Sequence, residues 1–116
     1  MRADSKTVVY INSHRLGQDE PELGAALMQG FVGLIKDMPI IPGYILLVNS
    51  AVFLSTRDPK SIEALSFLQN ECGTEVLSCT TCLEHFKIMD QLKVGEASSA
   101  PVIMKAMFAA ERLIRP

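Results

Sequence analysis

Short β-branched and apolar runs alternate along this chain with stretches whose apolar residues recur every three or four positions. Thr7 to Ile11 is a buried-strand pattern closed by Asn12-Ser13, and Tyr44 to Val48 repeats it, closed by Asn49-Ser50. Thr74 to Ser78 makes a third strand that ends at Cys79, a fourth is expected near Lys93 to Glu96, and Leu113-Ile114 suits a closing edge strand. Between the first two strands, Asp19 can cap a helix, Pro21 fits its first turn and Glu22 favours the positive end of its dipole. Leu23, Leu27, Phe31, Leu34 and Met38 then share one face, the apolar stripe of an amphipathic helix, before Pro39 and Pro42-Gly43 stop it. Asp58-Pro59 opens a second helix with Ile62, Leu65, Leu68 and Cys72 on one side and Gly73 as its stop. A third helix is expected from Thr81 to Gln91, and a fourth, capped by Ser98 or Ser99, carries Ile103, Met107 and Ala110.

Strands alternating with single helices imply parallel pairing through right-handed crossovers. The expectation is a three-layer α/β/α sandwich on a five-stranded, mostly parallel sheet, formed by residues 1–116 as a single domain. The pattern does not specify the strand order.

Composition narrows the partners. With 116 residues, 48% hydrophobic and 21% charged, the chain can bury a core without disulfide staples. A mean hydropathy of +0.23 leaves apolar surface to spare, which points to a homo-oligomer. The formal charge of −2 and the absence of a basic stripe give nucleic-acid binding no support. The start, MRADSKTVVY, lacks a signal-peptide core, and the most apolar stretch is broken at Pro42-Gly43 and Asn49-Ser50. A cytoplasmic location without membrane contact is expected, where cysteines serve as free, catalytic or metal-bound thiols more often than as structural disulfides.

Ligands in open parallel sheets bind beyond the carboxyl ends of the strands. Asn12, Ser13, Asn49, Ser50 and Cys79 should therefore lie along one edge, with Thr80 and Thr81 opening the helix beside them. Asn and Ser also favour strand-ending turns for purely local reasons. At the start of a helix, Cys79 would face backbone N–H groups that favour a thiolate. Cys82, one turn on, can resolve a disulfide or fill the core, whereas Cys72 reads as packing. One C-x-x-C pair with His85 and a distant His14 is too sparse for zinc, and no cofactor motif is present. His14, in the loop after the first strand, is a candidate proton shuttle.

The segments VVYINS, DEPELGAALMQGF, LLVNSAVFLST, VLSCTTCLEHF and LKVGEAS, in this order, resemble the DsrE/F-like family. They look most like the DsrE-like domain of the YedF proteins, a sulfurtransferase-like group linked to selenium metabolism. The resemblance covers nearly the whole chain. It implies an oligomeric α/β protein in a sulfur relay, with Cys79 matching the persulfide-bearing cysteine at the strand end and Cys82 matching the second cysteine of the pattern. Thr80 stands where the family often has Gly, and Phe86-Lys87 where it often has an aromatic-Gly pair. YedF proteins usually carry a TusA-like domain, so a sulfur donor or acceptor such as a TusA-like protein or a cysteine desulfurase is expected to act in trans. A non-enzymatic binding subunit and a dithiol redox protein remain as alternatives.

Overall fold

The structure, a computed structural model, describes residues 2–116. Its elements follow in strict alternation: β1 (Asp4–Ile11), α1 (Pro21–Leu34), β2 (Pro42–Leu47), α2 (Pro59–Phe67), β3 (Glu75–Cys79), α3 (Thr80–His85), β4 (Glu96–Ser98), α4 (Ala100–Ala109) and β5 (Arg112–Ile114). All five strands pair in parallel, in the order β4-β3-β2-β1-β5.

The order explains the layers. From β1 to β4 each crossover steps to the next strand in one direction, so α1, α2 and α3 fall on one face. Return to the far edge at β5 reverses the direction, which carries α4 to the opposite face. The first face holds the larger core, in which Val9, Ile11, Ile45, Leu47 and Val76 meet Met28, Val32, Leu65, Leu68 and Leu83. The second is smaller: Val8, Leu46, Leu77 and Cys79 under Ile103.

The apolar stripe read from the sequence of α1 is not the one that packs inward. Gly24, Met28 and Val32 are buried, while Leu23 and Leu34 are 57% and 56% exposed and Leu27 and Met38 also face out. Apolar residues cover two adjacent sides of this helix, and periodicity cannot tell which of the two meets the sheet. Glu20 rather than Asp19 takes the N-cap position, with Pro21 following it. In the second helix Leu65, Leu68 and Cys72 are buried; its last turn widens to π geometry and stops at Gly73, whose φ is +83°.

Expected boundaries also shift: the first helix ends at Leu34, before Met38, and gives way to a 3-10 turn over Ile35–Asp37. The third helix ends at His85 rather than Gln91, because Phe86 closes the helix and Lys87 turns left-handed at φ +58°. β4 consequently begins at Glu96, just after Gly95. Gly95 has φ +74°, and a Cβ there would collide with the Val76 carbonyl oxygen, so a side chain would push β4 off β3. No helix among the described residues is long and apolar enough to cross a membrane.

Candidate functional site

The carboxyl ends of the strands are in register. Ile11 lies beside Leu47, Leu47 beside Ser78, and Cys79 beside Ser98. Asn12-Ser13, Asn49-Ser50 and Cys79 therefore emerge side by side, as the sequence implied. β3 leads to α3 on one face and β4 leads to α4 on the other, so the topological switch point falls between those two strand ends, beside Cys79.

What the edge does not do is gather these groups around one thiol. Alternation along β3 sends Val76 and Ser78 toward the larger core, and Leu77 and Cys79 toward α4. Cys79 is only 7% exposed there. It occupies the N-cap position of α3, yet its side chain makes no capping hydrogen bond. Ser78 on the other face shares a buried 2.8 Å hydrogen bond with Ser55, whose hydroxyl also donates to the Val52 carbonyl, tying β3 to the 3-10 turn Asn49–Leu54.

Cys82 receives a backbone donor from a different segment, not from the start of its own helix. The backbone N–H of Asn49 donates to its Sγ at 3.0 Å. Asn49 supplies it from a left-handed conformation, φ +55°, that Asn tolerates better than most residues. Burial pushes the Cys82 thiol up from its ordinary value, the neighbouring Cys79 thiol pushes it further, and the Asn49 N–H pulls against both. Half-buried Cys82 opens onto a cavity of about 410 Å³ with Val48, Asn49, Thr81, His85 and Phe86 on its walls. Thr81 is exposed at that mouth, and Thr80 is half-buried at the first turn of α3.

A second, polar cavity of about 560 Å³ collects Asn12, Ser13, Asn49 and Ser50 together with Arg15, Gly17, Gln18 and Pro116. Asn49 lines both cavities and is the physical link between them. Ser50 Oγ accepts the backbone N–H of His14 at 3.1 Å and lies 2.9 Å from its Nδ1. Burial, helped by the Arg15 charge, lowers the His14 pKa below its ordinary value, so the imidazole is neutral at neutral pH. His14 stands edge-on to Phe53, and Phe53 leans on Phe86, so aromatic packing joins the loop after β1 to α3.

Arg15 was not singled out from sequence; a lone arginine in a polar loop carries no pattern. Cys72, by contrast, is buried in the larger core as a packing residue should be. Among the described residues, no three of the His, Cys, Asp and Glu side chains converge on one point.

No protein-family model matches the chain, and no curated protein matches it in sequence. Among solved structures, the crystal structure of the YchN protein from E. coli is similar over 100% of both chains, with a TM-score of 0.66 and 16% sequence identity. At that identity the likeness speaks for the fold alone, a five-stranded parallel sheet with helices packed on it.

Proposed function

We propose that this protein is a sulfur (or selenium) carrier in which the Cys79–Cys82 pair bears a sulfane sulfur and Cys82 is the thiol that receives it. The observation that carries this reading is the 3.0 Å hydrogen bond from the Asn49 N–H to Cys82 Sγ at the mouth of an open cavity. Such a donor favours an anionic sulfur, and a persulfide is more acidic than the thiol it replaces. In the loading step the Cys82 thiol gives its proton to solvent. The thiolate attacks the outer sulfur of a donor persulfide, the donor S–S bond breaks, and the donor leaves as a thiolate. Cys79, packed behind Cys82, is placed either to take over that sulfur or to expel it as hydrosulfide by closing a disulfide. The YedF-like sequence segments support the same chemistry, with a TusA-like protein or a cysteine desulfurase as the expected partner. The exposed apolar side of α1 supports a homo-oligomeric carrier.

Intact mass after exposure to a persulfide donor tests the reading. Wild type and Cys79→Ser should gain the mass of one sulfur atom, and Cys82→Ser should gain none. Loading that survives in Cys82→Ser and disappears in Cys79→Ser would move the carrier role to the strand-end cysteine. The second reading, a dithiol redox protein, is favoured by the adjacency of the two thiols. A reversible Cys79–Cys82 disulfide with no persulfide under any donor would replace the carrier by that reading.

A further inference from the structure

We infer that the polar cavity beyond the carboxyl ends of β1 and β2 recognises the carboxylate of a small-molecule persulfide, with Arg15 as the counter-charge, so that the carrier can be loaded by a free anionic alkyl persulfide. The inference rests on the sulfur-carrier reading for the sulfur end of that ligand and on the cavity itself for the anionic end.

Three observations carry the anionic end. First, the cavity, about 560 Å³, has the volume of a small-ligand site, and its wall is mostly polar: Asn12, Ser13, Arg15, Gln18, Asn49 and Ser50, with Gly17 and Pro116. Arg15 is the one charged side chain among those described residues, and Pro116, the last residue of the sequence, shares the wall with it. Secondly, the Arg15 Nε is buried and has no hydrogen-bond partner among the described residues, an arrangement that costs free energy. The planar guanidinium fork matches a carboxylate. Thirdly, the loop holds Arg15 in place. Its N–H donates to Ser13 Oγ at 3.0 Å, and the next N–H, of Leu16, donates to the Gly24 carbonyl at 2.9 Å. A Cβ on Gly24 would lie 2.9 Å from the Leu16 carbonyl oxygen and 3.1 Å from the Arg15 Cβ, so the loop sits directly on the bare backbone of α1.

The link to the sulfur end is Asn49. Asn49 lines the polar cavity, and its backbone N–H holds Cys82 Sγ. A ligand with a carboxylate beside Arg15 and a sulfane sulfur toward Cys82 spans that one residue. Transfer then follows the balanced exchange described above: the alkyl persulfide loses its outer sulfur to Cys82 and departs as an alkyl thiolate, its carboxylate unchanged.

The test compares two donors of similar size, the persulfides of mercaptopropionate (anionic) and mercaptoethanol (neutral), by site-resolved mass spectrometry of Cys82. In wild type the anionic donor should load faster, on the order of fivefold, as a partly exposed ion pair provides. The ratio of the two rates should fall to near unity in Arg15→Gln, be largely kept in Arg15→Lys and shrink in Gly24→Ala, each variant first shown by circular dichroism to be folded. A wild-type ratio near unity, or a preference that persists in Arg15→Gln, overturns the inference. If neither donor loads, the persulfide is overturned, and alkylation of Cys82 by iodoacetate against iodoacetamide decides the anion subsite alone. An iodoacetate preference lost in Arg15→Gln retains the subsite, and one indifferent to Arg15 removes it.

Discussion

Cys79 and Cys82 are three residues apart and meet opposite surroundings. One follows the two-residue alternation of a strand and is turned under α4; the other, a helical turn later, comes out beside the Asn49 N–H. Their reactivity should differ accordingly. Because burial and the Cys79 thiol both raise the Cys82 pKa, its alkylation should be slow at neutral pH and accelerate on the alkaline side of the ordinary thiol range. Cys79→Ala removes the second of those causes and leaves the first, so the rate profile of Cys82 should move to lower pH while staying above that of a free thiol. Site-resolved alkylation against pH checks this, and an unmoved profile would mean that Cys79 does not act on Cys82. Asn49 is the complementary probe. Asn49→Val puts a β-branched residue at φ +55°, which should cost ~1–2 kcal/mol in chemical denaturation and shift the Cys82 profile upward as the N–H tilts away.

At the scale of elements, β4 depends on a single backbone position. It is three residues long, pairs only with β3, and is reached through Gly95 in the left-handed region against the Val76 carbonyl. Gly95→Ala demands both a strained φ and a displaced neighbour. The expected loss is about 2–4 kcal/mol, larger than for an ordinary surface substitution. Denaturant titration gives the magnitude, and hydrogen exchange should show the amides of β4 losing protection before those of β1 and β2. A variant within experimental error of wild type would contradict the collision. α1 illustrates the limit of reading an element by itself: both of its apolar sides fit a helical period, and the one occupied by Met28 and Val32 met the sheet.

For the whole molecule, the other side of α1 is the open question. Leu23, Leu27, Leu34 and Met38 face outward, and Ile40 and Ile114 extend the apolar surface past the helix. Leu34, Met38, Ile40 and Ile114 border a groove of about 460 Å³ between α1 and the edge strand β5. A second copy of the chain is expected to cover this face. Light scattering should give a mass above that of the 12.7 kDa chain at micromolar concentration, and Leu27→Glu with Leu34→Glu should shift it to a monomer that stays folded. A wild-type mass equal to one chain would refute the oligomer.

The sequence by itself determined the alternation of strand and helix, the parallel sheet and the edge on which polar strand ends collect. Each of these depends on local periodicity and on short-range start and stop signals such as Asp58-Pro59 and Gly73. It also marked the C-x-x-C pair. Only the tertiary structure decided which thiol meets a hydrogen-bond donor, because that donor belongs to Asn49, 33 residues upstream of Cys82. The same holds for Arg15, whose place follows from a loop closing onto Gly24, and for the strand order, which follows from α4 returning across the opposite face. Periodicity along a chain records which residues share a side. Which side faces which neighbour is set by contacts between segments far apart in sequence, and no local pattern encodes them.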